Sequence, residues 1–193
     1  MSTKAATPEK RSARERLLTA AEELFYGEGI NTVGIDRIIE RAGVAKASLY
    51  DCFGSKEELI RSYLSARHES RQKRITEGLK RFATPREKLL GVFDIQVETF
   101  RSNNFRGCPF VRASAEVKPE SAAKAVCDES RGWMRTLFTD LAKEAGVRDA
   151  VTLAEKLLLL YDGAAVAALM DKSKAAVASA REVAEMLVEK HLS

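Results

Sequence analysis

Histidine and cysteine are scarce in this chain of 193 residues, which has only two histidines and three cysteines. His68 and His191 lie far apart in the sequence. Cys52, Cys108 and Cys127 show neither metal-ligand spacing nor a disulfide framework. No serine, histidine or carboxylate constellation typical of catalysis stands out either. We therefore predict that the protein is not an enzyme and that it needs no metal and no cofactor.

Proline is also rare, with four residues, and alternating Val, Ile and Thr over strand lengths is hard to find. This pattern predicts an all-α fold. The longest apolar stretch, over residues 157–170, is interrupted by Asp162 and is too short to span a bilayer. The polar start of the chain has no apolar run after it, which argues against a signal peptide. We expect a cytoplasmic protein that does not contact a membrane.

The net charge of +4 is small, but basic residues are concentrated near the start of the chain. A flexible basic arm can reach the phosphates or the minor groove of a nucleic acid. A solvated terminus accounts for the same residues equally well. Before residue 17 there are two acidic residues, Glu9 and Glu15, and five basic ones, Lys4, Lys10, Arg11, Arg14 and Arg16.

The segment 32–59 predicts two short helices joined by a turn at Gly43. Ile35, Ile38 and Ile39 recur at the i, i+3, i+4 spacing that forms the apolar stripe of a helix. Gly43 tolerates the positive φ that is needed where this helix stops and the chain turns. The pattern is typical of the first half of a helix-turn-helix.

The second short helix, over residues 46–52, has an apolar side that contains Leu49. Its outer side contains one cation, two small residues and one aromatic hydroxyl. Such a helix can approach the major groove of DNA closely, as a recognition helix does. We therefore predict DNA binding through Lys46, Ala47, Ser48 and Tyr50.

Capping signals mark further helices. Ser12 with Glu15, and Ser55 with Glu58, have the spacing of capping boxes, and the second pair begins a long helix that reaches about residue 80. A third start lies at Thr84, with proline at the first helical position. The later helices are predicted at about 85–100, 110–117, 121–145, 149–170 and 175–192. We place an N-terminal arm and helix-turn-helix domain at 1–55 and a second helical domain at 56–193.

The blocks AAEELFYGEGINT and GVAKASLYDCFGSKEELI combine three motifs in a fixed order. These are F-x-x-x-G, G-V-x-K-x-x-L-Y-x-x-F and S-K-E-E-L. In this combination the segment 17–64, about a quarter of the chain, resembles the DNA-binding domain of the TetR family of bacterial transcription regulators. The resemblance implies an N-terminal three-helix DNA-binding domain followed by a helical ligand-binding and dimerisation domain.

The resemblance also implies specific DNA contacts. Lys46 and Ala47 would face the bases or the adjoining backbone, and the Tyr50 hydroxyl would donate to a phosphate. Thr32, which is also a candidate cap for the first short helix, and Lys56 at a helix N-terminus would each bind a phosphate. The alternatives are packing of Tyr50 on helix 1 and simple solvent exposure of Lys56. Together with Ser48, these five residues form the predicted DNA-binding set.

The chain departs from the family pattern at four positions. Ala45 stands where many members have Ser or Thr, so a hydroxyl cap is missing. Ala47 replaces a common glycine, and its methyl could contact a thymine methyl. Asp51 and Cys52 replace His and Tyr, and we expect Asp51 to turn away from phosphate. These changes bear on the operator sequence and not on the fold.

The second half of the chain has no motif of comparable strength. The resemblance implies a ligand cavity among its middle helices and a dimer surface on the last two. Core packing explains each apolar candidate equally simply, and Cys108, beside Arg106, is either a sensor thiol or a structural one. The cavity candidates are Phe93, Gln96, Val97, Phe100, Cys108, Phe110, Trp133, Leu137 and Tyr161.

A run of small residues in the penultimate helix would let a partner helix come close, which predicts a four-helix bundle between two subunits. One small reading helix makes too few contacts for specific affinity, so a two-fold dimer on a palindromic double-stranded DNA operator is expected. The run contains Gly163, Ala164, Ala165, Ala167 and Ala168.

We therefore predict a homodimeric repressor that a small-molecule effector releases from its operator, with the long fourth helix as the coupling element. Three alternatives stay open. The first is a helix-turn-helix regulator without a small-molecule effector, which responds to a protein partner or is constitutive. The second is an activator. The third is an all-α enzyme whose helix-turn-helix resemblance is accidental.

Overall fold

The structure, a computed structural model, describes residues 11–100, 104–171 and 175–192. Within these ranges the chain forms helices and no strand, which confirms the all-α prediction. Lys4 and Lys10 of the predicted arm lie outside the described residues. The described helices are α1 (Ala13–Glu28), α2 (Ile35–Ala42), α3 (Lys46–Phe53), α4 (Lys56–Leu79), α5 (Pro85–Phe100), α6 (Pro109–Glu116), α7 (Ala122–Glu144), α8 (Ala150–Asp171) and α9 (Ala175–Leu192).

Two helices begin with complete capping boxes, as their sequences predict. At α1 the Ser12 hydroxyl accepts from the Glu15 amide at 3.2 Å, and the Glu15 carboxylate accepts from the Ser12 amide at 2.8 Å. At α5 the Thr84 hydroxyl accepts from the Glu87 amide at 3.2 Å, and the Glu87 carboxylate accepts from the Thr84 amide at 3.0 Å. Each box satisfies amides that the first helical turn leaves without a partner.

Two other predicted caps differ from expectation. The Ser55 hydroxyl accepts from the Glu58 amide at 3.1 Å, but the Glu58 carboxylate accepts from Arg61 at 2.7 Å, so only the hydroxyl half of that box forms. Thr32 does not cap α2, because the N-cap residue is Gly34 in an extended conformation. Thr32 lies two positions before this N-cap residue, which is too far for its hydroxyl to reach the second or third helical amide.

The chain divides into two compact units, Met1–Tyr63 and Leu64–Ser193. Helix α4 runs without interruption from Lys56 to Leu79 and contributes residues to both units. In the first unit, α1 packs against α2 and α3 around a core that includes Phe25 and Tyr63, whose rings pack edge to face with centroids 5.6 Å apart. The other large core residues of this unit are Leu17, Ile30, Val33, Ile38, Leu49, Phe53, Leu59 and Ile60.

In the second unit, α5, α7, α8 and α9 surround one hydrophobic core. Its centre is an aromatic cluster of Phe93, Phe138 and Tyr161, with ring centroids 6.0 to 6.2 Å apart. Burial raises the pKa of the Tyr161 phenol, which therefore stays neutral. None of the described helices is long and apolar enough to cross a membrane.

The small residues of α8 differ from their predicted role. Ala164, Ala165 and Ala168 are buried within their own subunit, so the prediction that they admit a partner helix is wrong. The reason is the helical phase, because these three positions lie on the side of α8 that faces the core. Gly163 is exposed, and nothing lies within 4 Å of the position that a Cβ would take there.

Candidate nucleic-acid interface and effector cavity

The turn between α2 and α3 has the geometry that its sequence predicts. Gly43 adopts a left-handed conformation with φ of 62° and ψ of 45°. Its amide donates to the Glu40 carbonyl at 3.1 Å, and the amide of Val44 donates to the Ile39 carbonyl at 3.3 Å. These hydrogen bonds close α2 at its C-terminus, as a left-handed glycine typically does.

A hydrogen bond from α1 holds the same turn from outside. Nη1 of Arg16 donates to the Gly43 carbonyl at 3.0 Å. The guanidinium of Arg14 lies over the Phe53 ring, 5.0 Å from its centroid. Both arginines belong to α1 and act within the domain, so their assignment to a flexible basic arm is wrong. The direction in which α3 points is thus determined by α1 as well as by the turn.

Helix α3 has one buried and one exposed side, as predicted. Leu49 and Phe53 are buried in the core of the first unit. On the opposite side Lys46 and Ala47 are exposed and Ser48 is half-buried, while Tyr50 is 46% exposed. The exposure of Tyr50 argues against the alternative that its ring packs on α1.

Two outward cations of α2 have partners on α1. Arg37 donates to the Glu28 carboxylate through both terminal nitrogens, and Arg41 donates to the Glu23 carboxylate at 2.9 Å. The hydrogen bond from Arg37 lowers the pKa of the Glu28 carboxyl group. These exposed pairs connect α2 to α1, which gives both arginines a structural role.

The two predicted phosphate-binding lysines are placed differently. Nζ of Lys46 pairs with the Asp36 carboxylate at 3.2 Å, and both side chains are exposed. Such an exposed pair contributes little stability and exchanges readily for another anion. Lys56 is half-buried, and its Nζ donates to the Ile30 carbonyl at 2.9 Å. This bond uses one of the three ammonium donors, and the predicted phosphate contacts of both lysines stay predictions.

The start of α3 is open to an anion. Its N-cap residue is Ala45, which makes no side-chain hydrogen bond to the first helical turn, and that turn contains no acidic residue. The helix therefore presents unoccupied amides beside the exposed face of Lys46 and Ala47. Thr32 is exposed as well. Asp51 is also exposed, but it lies later in α3 and therefore away from these amides.

The second unit contains a cavity of about 280 Å³. Of the nine predicted cavity residues, Cys108 and Phe110 line it. The other seven belong to the neighbouring core, where Phe93 and Tyr161 are buried and the Gln96 amide donates to the Tyr161 carbonyl at 2.7 Å. The cavity is lined by Arg71, Cys108, Phe110, Val111, Ser114, Lys124, Cys127, Asp128, Arg131, Met134, Leu158 and Asp162.

Sequence analysis did not identify the charged residues of this cavity. Nη1 of Arg71 donates to the Ser130 hydroxyl at 3.1 Å, and Nη2 donates to Cys108 Sγ at 3.4 Å. Arg131 pairs with Asp162, a contact between α7 and α8. The only available signal was the helical phase of α4, which places Arg71 on the same side as the core residues Leu64 and Ile75.

The two thiols of the cavity have different surroundings. Cys127 is buried, and burial raises the pKa of its thiol, which therefore stays protonated. Cys108 is half-buried and accepts the hydrogen bond from Arg71. A sensor role for Cys108 stays a prediction.

Comparisons with known proteins agree with this geometry. A family model described as bacterial regulatory proteins, tetR family, matches residues 17–63. The solved structure of a TetR-family transcriptional regulator from Streptomyces coelicolor is 31% identical, covers 94% of this chain and 96% of that chain, and has a TM-score of 0.89. The reduced form of NemR from Escherichia coli has a TM-score of 0.79 over 91% of this chain and 97% of that chain. Its identity of 24% indicates a shared fold.

The curated relatives include both a transcriptional activator and a transcriptional repressor. The HTH-type transcriptional activator FasR from Mycolicibacterium smegmatis is 31% identical over 60% of this chain and 57% of FasR. The HTH-type transcriptional repressor NemR from Escherichia coli K12 is 29% identical over 75% of this chain and 66% of NemR. The chain thus spans less than two thirds of these two relatives.

These comparisons confirm the predictions of a DNA-binding regulator and of a protein that is not an enzyme. The near-complete match to the Streptomyces coelicolor regulator extends the similarity well beyond the helix-turn-helix. The chain therefore belongs to the TetR family of bacterial transcription regulators.

Proposed function

We propose that the protein is a homodimeric repressor that a small molecule releases from a palindromic DNA operator, and that it acts in the cytoplasm. The observation that carries this proposal is the outer side of α3. That side is exposed, lacks acidic residues in its first turn, and is oriented by buried Leu49 and Phe53 behind it. We propose residues 1–55 as the DNA-binding domain and residues 56–193 as the effector-binding and dimerisation domain.

On the DNA, α3 would enter the major groove with its N-terminal residues against the bases. Lys46 would exchange its exposed pair with Asp36 for a phosphate or a base edge. The exposed Tyr50 hydroxyl would donate to a phosphate, and Thr32 and Lys56 would bind other phosphates of the DNA backbone. The half-buried Ser48 and the methyl of Ala47 leave room for close approach.

Dimerisation is supported by an exposed apolar surface on the last two helices, which pack against each other. On α8, Leu159 is 71% exposed and Met170 is 75% exposed, and on α9 Met186 is 71% exposed. Leu159, Val166 and Met170 recur at i, i+7 and i+11 and therefore share one side of α8, with Gly163 between them. A two-fold partner would bury this surface in a four-helix bundle.

Release by an effector is supported by the cavity and by the continuity of α4. Arg71 of α4 lines the cavity, and the same helix begins at Lys56, one of the proposed phosphate contacts. A ligand that binds one conformer of the second unit better than the other shifts the population of DNA-competent dimers by linkage. A fully packed second unit without a cavity would instead have favoured a regulator without an effector.

The proposal is tested by binding to the DNA upstream of the protein's own gene, measured by fluorescence anisotropy at several salt concentrations. Replacing Tyr50 by Phe removes one hydrogen bond to a charged group and should weaken binding about tenfold for every sequence. Replacing Lys46 by Ala should lower the slope of log affinity against log salt by about one. Lys143→Ala is the matched control, because Lys143 is exposed on α7.

Unchanged affinity and salt slope in both Tyr50→Phe and Lys46→Ala would mean that α3 does not read the duplex. An equal loss in Lys143→Ala would mean that the effect is general electrostatics. Activation is a second candidate because FasR is named an activator. A reporter gene downstream of the bound DNA distinguishes repression from activation. Deleting a repressor raises reporter expression, and deleting an activator lowers it.

A further inference from the structure

We propose that the cavity of the second unit binds a small molecule with an anionic group, a carboxylate or a phosphate monoester, and that Arg71 pairs with this group. The inference rests on the proposed function, because it takes this cavity as the effector site. It narrows the effector to one chemical class and names the residue that selects it.

Among the described residues no anion is hydrogen-bonded to the guanidinium of Arg71, although Asp162 attracts it electrostatically. The guanidinium donates to two neutral groups, the Ser130 hydroxyl and Cys108 Sγ. A guanidinium has five N–H donors, and the others make no hydrogen bond to any residue that the structure describes. In the same part of the chain no carboxylate forms an ion pair with Arg71.

The acidic residues of the cavity are already paired. Asp162 pairs with Arg131, and Asp128 pairs with Lys124 one helical turn away. The lining thus contains three cationic side chains and two carboxylates, and the unmatched charge belongs to Arg71. Arg71 lies on one side of α4 with Arg67 and Arg74, at the i, i+4, i+7 spacing, which increases the positive potential there.

Aromatic rings hold the guanidinium in place. It lies over the Phe110 ring at 4.7 Å and near the Tyr161 ring at 5.9 Å. Two of the five N–H donors on the edge of this planar group bond to Ser130 and Cys108, which leaves three for a ligand. A planar donor edge matches the two oxygens of a carboxylate or phosphate in a bidentate pair.

A part-buried charge without a counter-ion is costly, and a ligand anion recovers that cost. A neutral ligand leaves the charge of Arg71 without a counter-ion, and a cationic ligand is repelled by that charge. The remaining lining offers an apolar surface from Phe110, Met134 and Leu158. The volume of about 280 Å³ lies just below the roughly 300–1,000 Å³ of small-molecule sites, which favours a compact ligand with one ring or a short chain.

The test uses the full-length protein without DNA and four probes built on one benzene ring: benzoate, its neutral isostere benzamide, phenyl phosphate and benzylammonium. Affinity is measured by calorimetry at constant ionic strength. We expect saturable binding of benzoate or phenyl phosphate, about 10- to 100-fold tighter than that of benzamide, and no binding of benzylammonium. Whichever of the two anions binds more tightly identifies the anionic group.

Three variants assign the effect to Arg71. Arg71→Met should reduce the affinity for the anion to the level of benzamide, and Arg71→Lys should keep the preference for the anion. Arg135→Met is the matched control, because Arg135 is exposed on α7 and does not line the cavity. Circular dichroism checks that each variant is folded, and if Arg71→Met fails to fold, the probe series on the native protein and Arg71→Lys decides.

The inference is overturned if neither anion binds saturably, if benzamide or benzylammonium binds as tightly, or if folded Arg71→Met binds the anion like the native protein. A second assay with operator DNA separates this inference from the proposed function. If the anion binds through Arg71 but leaves the DNA complex intact, release by an effector at this cavity fails while the anion site stands. If neither anion binds through Arg71 and only neutral or cationic compounds release the DNA, ligand release stands and the anion site is overturned.

Discussion

Replacing Gly43 by Ala tests whether the left-handed turn holds α3 in the orientation that the proposed DNA contacts require. At this residue φ is 62°, a conformation that side chains with a Cβ adopt only at a cost of roughly 1–2 kcal/mol. A Cβ at this position would lie 3.8 Å from Arg16 Nη1, which is ordinary van der Waals contact. The penalty is therefore conformational and not steric, and we expect a loss of about 1 kcal/mol.

Gly27→Ala is the matched control within the same unit. Gly27 lies inside α1, has no positive φ, and has nothing within 4 Å of the position that a Cβ would take. Alanine in a helix is better than glycine by about 0.5–1 kcal/mol. The same chemical change should thus stabilise the protein at residue 27 and destabilise it at residue 43.

Native-state hydrogen exchange of peptides from α2 and α3 is the suitable measurement, because it reports local opening of this segment. The single tryptophan, Trp133, lies in the second unit, so its fluorescence does not report on the turn. A loss of about 1 kcal/mol corresponds to roughly fivefold faster exchange. If exchange in Gly43→Ala were as slow as in the native protein, the turn would not depend on the left-handed residue, and the account of α3 positioning would be wrong.

Two further predictions concern the second unit. Met170→Asp with Met186→Asp should convert the dimer to monomer in sedimentation, whereas Thr136→Asp on an exposed part of α7 should not, and an unaffected dimer would place the interface elsewhere. Burial lowers the pKa of His68 below its ordinary value of 6.5. As pH falls through 6.5, the unfolded chain takes up this proton first, so stability decreases. His68→Phe should remove that part of the decrease between pH 7 and 5.5 in thermal unfolding, and an unchanged pH dependence would contradict the assignment.

Local features of this protein follow from its sequence because they depend on residues that are neighbours along the chain. A capping box needs only a hydroxyl and a carboxylate three residues apart, and Ser12 with Glu15 forms one as predicted. The helix-turn-helix likewise depends on apolar spacing and on one glycine at the turn, and both occur within a few residues of Gly43. The bounds of the helices and the exposed side of α3 could be predicted for this reason.

Partners that are distant in sequence could not be predicted in the same way. The half-buried position of Lys56 depends on the Ile30 carbonyl, and the Ser130 partner of Arg71 lies 59 positions away. Neither pairing has a signature in the local pattern, where both cations look like solvated charges.

The sequence by itself determined the helices, the capping boxes of α1 and α5, the exposed side of α3 and the family, since each rests on local spacing or on a continuous motif. Only the tertiary structure decided which charges are paired, where the cavity lies, and that Ala164 and its neighbours face their own core. The physical reason is that burial and charge compensation are properties of several helices at once, and a one-residue change in helical phase moves a side chain by about 100° around the axis.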